Sequence, residues 1–530
     1  MKKLGHYLVE ALEAHGVRHV FGIPGVHNLE LYRGLARGPI RHVAGRHEQG
    51  LGFMADGYAR ASGRPGVCFT ITGPGLTNIT TAMGQAYGDS IPLLVISSQN
   101  KLGEAGSGRG FLHELPDQRL VASGVAAEAF AIRSPAELPG ALARAFEIFA
   151  SERPRPVYLE IGLDVLAADA TGLALPGPAA RAPLPAAALL DEAAARLARA
   201  GQPVVIAGGG AVHAASELRR LVEHLGAPLV MTTNARGLLP PDHPLAVPMS
   251  PSLAPVRALV ASADAVLAVG TEIGQTDYDM YALSDFPNPP GLIRIDIDSA
   301  QMLRSATPEI ALKGDAAPIL AALLARGLGA ARPSLGAAAA AATRDEALAA
   351  LTPVMRRQIG LLERMRRILP TAFMVGDSTQ LVYAGNLGFA AAGPGSWFNS
   401  ATGYGTLGYA LPAATGAGLG APERPVLCLV GDGGLQFSLG ELAVPRDVDA
   451  WLAIVIWNNR GFGEIKSAMI AAGIAPEGVD VAPPDFAHLA KAYGYAYRAL
   501  DSVPALEAAL TDFAARRQVV VLEMRAEAFP

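Results

Sequence analysis

Two short polar motifs near the carboxyl end of the chain carry the residues best suited to hold a charged ligand. Gly431-Asp432-Gly433-Gly434 follows the apolar run 425–430, and Asn458-Asn459-Arg460-Gly461 follows a second apolar run, 451–457, with 24 residues (434 to 457) between Gly-Asp-Gly and Asn-Asn. Mg2+ takes about six oxygen ligands at roughly 2.0–2.1 Å and combines one or two protein carboxyl or amide oxygens with phosphate oxygens. Asp432 and Asn459 offer such oxygens, with Gly461 beside them. The glycines leave backbone N–H groups open to a diphosphate. A helix expected to start near Leu435 or Phe462 adds further N–H groups and the favourable end of its dipole. A lone Gly-Asp-Gly is an ordinary turn, whereas this spaced pair after two buried strands describes a metal and diphosphate site.

The elements that must position these residues follow from the alternation of short apolar runs with helical stretches, the sequence form of a parallel sheet covered by helices. Runs at 19–23, 67–72, 93–97 and 157–161 place a first domain at 1–165. The Ala-, Gly- and Pro-rich stretch 167–185 reads as a linker. A second domain, 184–326, contains the runs 203–207, 265–269 and 292–298. An Ala-rich, low-complexity connector at 327–345 leads to a third domain, 350–530, which carries the opening motifs. The expected fold is α/β: three domains, each a doubly wound, mainly parallel sheet flanked by helices.

Composition narrows the function class. A chain of 530 residues with 51% hydrophobic and 17% charged residues and net charge −5 describes a large-cored enzyme, not a disordered or nucleic-acid-binding protein. No apolar run reaches membrane-spanning length, and the first helix is interrupted by Glu10, Glu13 and His15, unlike a signal peptide. Cys68 and Cys428 lie in apolar strands and read as buried, reduced thiols. A cytoplasmic location is the expectation.

The chain resembles the thiamine diphosphate enzyme family nearly end to end. Besides the Gly-Asp-Gly and Asn-Asn pair, Arg46-His47-Glu48-Gln49-Gly50, Ala55-Asp56-Gly57-Tyr58-Ala59-Arg60, Thr72-Gly73-Pro74-Gly75-Leu76-Thr77-Asn78 and Asp89-Ser90-Ile91-Pro92-Leu93 are similar to the amino-terminal half of acetolactate synthase and its decarboxylase relatives. The resemblance implies a thiamine diphosphate-binding fold twice, a Rossmann-like central domain, and thiamine diphosphate with Mg2+ as cofactors. Carried over residue by residue, the cofactor contacts would be Glu48, Thr72, Pro74, Asn78, Leu407, Gly431, Asp432, Gly433, Gly434, Asn459, Gly461 and Phe462, with Asp432, Asn459 and Gly461 on the metal. Glu48 would be the activating acid facing the aminopyrimidine ring. Leu407 would be the bulky side chain that bends the cofactor, where acetolactate synthases usually carry Met. Because family members build each site from two subunits, a homodimer or homotetramer with sites at the interface is implied.

The same resemblance frames the reaction. The substrate would be a small 2-oxo acid that loses CO2, and the product would be an aldehyde or, in an acetolactate synthase-type carboligase, a joined product. Acetolactate synthases place Phe-Gln-Glu near Leu112-His113-Glu114, so His113 is similar to a decarboxylase proton donor and favours the aldehyde. Glu464, one residue before the position of the pyruvate-decarboxylase glutamate, is the other candidate catalytic group. The loop from Gly106 to Gln118 is similar to that of bacterial 5-guanidino-2-oxopentanoate decarboxylases. A guanidinium substrate favours carboxylate partners, for which Glu114, Asp117, Asp277, Asp279 and Glu464 are candidates. In the central domain, Gly208-Gly209-Gly210 lacks the spaced dinucleotide fingerprint. FAD, which acetolactate synthases hold there, is therefore the disfavoured cofactor.

Overall fold

The computed structural model describes residues 2–36, 38–278 and 288–529, arranged as three six-stranded parallel sheets with helices on their faces. The first sheet contains β1 (His19–Gly22), β2 (Arg41–Ala44), β3 (Gly66–Thr70), β4 (Leu93–Gln99), β5 (Glu128–Ile132) and β6 (Val157–Gly162), in the order β2-β1-β3-β4-β6-β5. The central sheet contains β7 (Pro203–Ala207), β8 (Leu229–Met231), β9 (Ala246–Val247), β10 (Ala265–Val269), β11 (Ile293–Asp296) and β12 (Ile310–Lys313). Its order, β9-β8-β7-β10-β11-β12, is that of the dinucleotide-binding doubly wound fold. The third sheet contains β13 (Phe373–Gly376), β14 (Trp397–Asn399), β15 (Val426–Gly431), β16 (Leu452–Asn458), β17 (Ala496–Leu500) and β18 (Val520–Arg525). Its order, β14-β13-β15-β16-β18-β17, repeats that of the first sheet strand for strand.

Strands buried on both faces read as unbroken apolar runs, and β4, β15 and β16 are of this kind. The register of β15 against β16 pairs Gly431 with Trp457. The two polar motifs therefore leave the sheet side by side, at the carboxyl ends where parallel sheets bind ligands.

The first and third domains pack through the helices Glu48–Ser62 and Ala410–Gly420. Phe53 meets Tyr409 with ring centroids 5.2 Å apart, and further along Gly57 meets Ala413, so the helices run in the same direction. A Cβ on Gly57 would lie 1.9 Å from the Ala413 carbonyl oxygen, and one on Gly416 would lie 1.9 Å from that of Met54. Backbone-to-backbone contact of this kind admits no side chain at either position. Among the described residues, no helix is long and apolar enough to cross a membrane.

Two sequence expectations change. The second half of the Ala-rich connector begins a helix, Ala337–Ala350, whose Ala340, Thr343 and Ala347 are buried. Ala340 and Ala347 join Val256 and Val260 in a core cluster of the central domain. High helix propensity together with one small apolar stripe is enough to dock it. The helix expected near Leu435 begins at Asp432 and is only four residues long, Asp432–Leu435, continuing as tighter turns to Ala443 with a kink at Ser438.

Candidate active site

At the ends of β15 and β16, backbone N–H groups fix the Asp432 carboxylate. Oδ1 accepts from the Asn459 N–H at 3.2 Å and Oδ2 from the Gly461 N–H at 3.0 Å. Gly461, at φ 148°, lies so close to Val479 that a Cβ would come within 2.4 Å of its carbonyl oxygen. Asp432 is 1% exposed, and burial pushes its carboxyl above the ordinary range despite these bonds. The orientation of the Asn459 amide is set from behind. The Trp457 indole, a donor only, gives its N–H to Gln380 Oε1 at 2.9 Å, and Asn459 Nδ2 donates to the same oxygen at 3.3 Å. Asn459 Oδ1 is thereby left 2.8 Å from the Gly461 carbonyl oxygen and 3.1 Å from Asp432 Oδ1. Turning the amide over would let its nitrogen donate to both oxygens, but would press its oxygen against Gln380 Oε1, which already serves as acceptor to the indole.

Three oxygens with no proton between them are what a cation requires. Their separations match the edge of an octahedron with metal–oxygen bonds of roughly 2.0–2.1 Å, about 2.9 Å. The residues present thus fit Mg2+, with two side-chain oxygens and one carbonyl oxygen from this chain and room for phosphate oxygens. Gly433 faces the Phe462 ring at a distance that a Cβ would reduce to 2.7 Å, so Phe462 closes one side of the turn. Gly434 lies against Asp377, which is fully buried and accepts from Gly408 N–H at 2.8 Å and Ser378 N–H at 2.7 Å. Burial pushes the Asp377 carboxyl up to about 6. Leu407, half-buried, precedes Gly408, whose N–H is bonded to Asp377.

A second cluster lies over the carboxyl ends of the first sheet. Glu48 opens the helix Glu48–Ser62, and its Oε2 accepts from Asn78 Nδ2 at 2.9 Å. Neither nearby arginine takes it. Arg46 pairs with Asp447, and Arg60 is buried between Asp56 and Asp89. Glu441 of the third domain accepts the backbone N–H groups of Arg46 and His47 at 3.0 and 2.9 Å, fixing the turn from which Glu48 projects. Thr72 and Gly73 are held by Gln118 Oε1, which accepts from both at 2.8 Å, and Pro74 starts the helix Pro74–Asp89. His113 sits against this turn in a left-handed conformation at φ 62°, and a Cβ on Gly73 would come within 2.6 Å of its carbonyl oxygen. A non-glycine residue in this region marks strain that its surroundings impose. The His113 ring meets that of His27 edge to face at 5.0 Å, and Nδ1 of each is buried without a hydrogen-bond partner. Burial and the nearby His113 hold His27 below its ordinary pKa.

Among the described residues, no hydrogen bond joins the Glu48 cluster to the Asp432 cluster of the same chain. Each cluster keeps exposed apolar side chains beside it: Leu112 and Val26 near His113, Phe437 and Ile465 near Asp432.

The acids named for a guanidinium separate by position. Glu114 accepts from Ser107 Oγ and from the N–H groups of Gly108, Gly110 and Phe111, closing its own loop. Asp117 caps the helix Gln118–Ser123. Asp277 lines a cavity in the central domain and accepts from Thr233 N–H, while Asp279 falls outside the described residues. Glu464 is exposed on the first turn of the helix Gly463–Ala471, two residues after Phe462.

That cavity, about 440 Å3, opens between Gly208–Gly210, Gly270, Asp296 and Asp315 of the central domain and Arg60, Asp89 and Thr402 of the other two. Sequence reasoning missed Gln380, Trp457, Glu441 and His27. Only His27, in the turn after β1, carried a side chain whose type hinted at a role.

The description "Thiamine pyrophosphate enzyme, N-terminal TPP binding domain" matches residues 2–121, its central domain matches 190–323, and its C-terminal TPP binding domain matches 377–524. A probable 2-ketoarginine decarboxylase of Pseudomonas aeruginosa PAO1 is 48% identical over 527 residues, covering 98% of this chain and 93% of that protein. The acetolactate synthase isozyme 1 large subunit of Escherichia coli K12 is 32% identical, covering 86% of this chain and 82% of that one. The solved structure of a thiamine diphosphate-dependent 4-hydroxybenzoylformate decarboxylase of Rhodococcus jostii RHA1 shares the fold, with a TM-score of 0.84 at 23% identity over 99% of both chains. An oxygen cage on one repeated sheet and a glutamate on the other thus fall in the two cofactor-binding domains of these descriptions, and the chain belongs to the thiamine pyrophosphate enzyme family.

Proposed function

We propose that the protein is a Mg2+- and thiamine diphosphate-dependent decarboxylase of 2-oxo acids, with 2-ketoarginine, the guanidino 2-oxo acid, as substrate. The observation that carries this reading is the placement of His113 in the cluster that contains Glu48: its carbonyl oxygen accepts from Thr72 Oγ1 and lies against Gly73, and its ring meets that of His27. The 48% identity to a probable 2-ketoarginine decarboxylase supports the same conclusion, and the acetolactate synthase relatives are more distant.

When bound, thiamine diphosphate supplies the carbon nucleophile and electron sink that loss of CO2 from a 2-oxo acid requires. This chain's residues do the rest. Asp432, Asn459 and the Gly461 carbonyl hold Mg2+ and through it the diphosphate. Leu407 would pack against the cofactor and set its conformation. Glu48, steadied by Asn78 at one oxygen, would turn the other towards the cofactor's aminopyrimidine ring. His113 delivers a proton to the carbon from which CO2 departs, so that a 2-oxo acid anion and one proton give an aldehyde and CO2. Glu464 meets the guanidinium.

Membership of a family whose sites are built from two subunits supports a homodimer or larger assembly in which Glu48 of one subunit faces Asp432 of another. Two buried free thiols, Cys68 and Cys428, suit a cytoplasmic enzyme. The central cavity has the size of an ordinary ligand pocket, roughly 300–1,000 Å3, enough for a small-molecule group. Acid extraction of the purified protein, followed by chromatography, identifies such a group and decides whether it is a flavin.

The test of the main reading is a panel of 2-ketoarginine, pyruvate, benzoylformate and branched-chain 2-oxo acids with added cofactor. CO2 and aldehyde in equal amounts, fastest with 2-ketoarginine, are expected. An acyloin or acetohydroxy acid as main product would replace the reading with carboligation.

A further inference from the structure

The loop that carries Leu407 is held by its own domain, through Ser400 and Asp377, and also by side chains of the first domain. Thr402 Oγ1 donates to Asp89 Oδ1 at 2.7 Å, Thr406 Oγ1 donates to Gln85 Oε1 at 2.8 Å, and Tyr409 O–H donates to Asp56 Oδ1. Leu407 lies between the second and third of these anchors. The acceptors are themselves joined. Gln85 Nε2 donates to Asp89 Oδ2 at 2.8 Å, and Arg60 bridges Asp89 at 2.6 Å and Asp56 at 2.7 Å. Gln85 and Asp56 are fully buried, and Thr402 and Thr406 are less than one-tenth exposed. Gln85 and Asp89 occupy the last turns of the helix Pro74–Asp89, whose early residue Asn78 donates to Glu48.

We propose that Gln85 and Asp89 are positioning residues for Leu407: through Thr406 and Thr402 they set how far the Leu407 side chain projects over the turn that binds the diphosphate, and so the conformation in which thiamine diphosphate is held. This rests on the assignment of Leu407 as the residue that bends the cofactor. The anchor for the diphosphate, Asp432 with Asn459 and Gly461, makes none of these hydrogen bonds. Disturbing the network should therefore separate the binding of the whole cofactor from the binding of its diphosphate. A polar network of this kind is costly to break at a charge, so the informative changes are those at its neutral members.

The experiment compares full-length Thr406→Val, which removes the hydroxyl donor at nearly constant volume, with Thr406→Ser, which keeps it, and with Gln85→Met. Titration calorimetry measures Mg2+-pyrophosphate and Mg2+-thiamine diphosphate separately, and near-ultraviolet circular dichroism reads the bound cofactor. Thr406→Val and Gln85→Met should bind Mg2+-pyrophosphate as the unaltered protein does, bind thiamine diphosphate about tenfold more weakly, and change the dichroism of what is bound. Their kcat should fall while KM for the 2-oxo acid holds, and Thr406→Ser should recover both. Equal loss of pyrophosphate and thiamine diphosphate binding would reduce the network to general support and overturn the proposal. So would unchanged cofactor affinity and dichroism in both variants, which would leave the decarboxylase reading untouched. Failure of the unaltered protein to bind thiamine diphosphate would overturn that reading and this one together.

Discussion

The amide oxygen of Asn459 stands 3.1 Å from a carboxylate oxygen of Asp432 with no donor between them, and the Trp457-Gln380 pair behind it prevents the amide from turning over. Groups behind a metal ligand commonly govern affinity by about 10- to 100-fold. Gln380→Leu should therefore weaken Mg2+ binding by a factor in that range, read by calorimetry in the presence of thiamine diphosphate. Asp432→Ala should weaken it at least as much. Equal affinity in Gln380→Leu would mean that the amide keeps its orientation without help.

Glu48 and Asp432 should belong to different halves of one site. Glu48→Gln and Asp432→Ala chains, each inactive alone, should regain activity when unfolded together and refolded as mixed assemblies. About half the mixed dimers' sites would combine two intact residues. No recovery in mixed assemblies verified by mass spectrometry would place both residues in a single-chain site.

His113→Gln should lower kcat by about 100- to 10,000-fold, the range for loss of a positioned proton donor, with little change in KM. The product mixture is the sharper readout. Slowed protonation leaves time for a second carbonyl to react, so acyloin should rise relative to aldehyde when acetaldehyde is added.

Glu464→Gln should raise KM for 2-ketoarginine by about 10- to 100-fold, as expected for losing a charged hydrogen-bond partner, while KM for pyruvate stays within about twofold. A matching rise for both substrates would assign Glu464 to the chemistry instead of the guanidinium.

Asp377 gives a dependence on pH. Burial raises its carboxyl to about 6 in the folded chain, against an unfolded value near 4. Between those values the folded chain binds more protons than the unfolded one, so this group's contribution to stability declines as pH rises from about 4 to about 6. The span of about two units corresponds to about 3 kcal/mol at most. Urea denaturation of the cofactor-free protein across that window should show a less negative slope with pH for Asp377→Asn than for the unaltered chain.

How far these features could be read from sequence depended on whether they were local. The strands ending at Gly431 and Asn458 were visible because double-sided burial writes an unbroken apolar run. The repeated sheet order was not, because strand neighbours are settled by crossovers that no short motif records. Glu114 and Asp117 read as partners for a substrate, yet both are occupied by backbone N–H groups of their own loop and helix. Arg60 was visible only as the end of a motif, and its burial between two carboxylates was not. Gln380 left no trace, since its role is a hydrogen bond to a residue 79 positions away. The alanine connector shows the opposite error: low complexity concealed a helix that needs only three small residues to dock.

The matching strand orders of the first and third sheets make their turns equivalent: where the first sheet turns through Thr72-Gly73-Pro74 after β3, the third turns through Gly431-Asp432-Gly433 after β15. The first domain holds Glu48 and the third the oxygen cage, so a change of length in either turn alters the fit between two domains and not one.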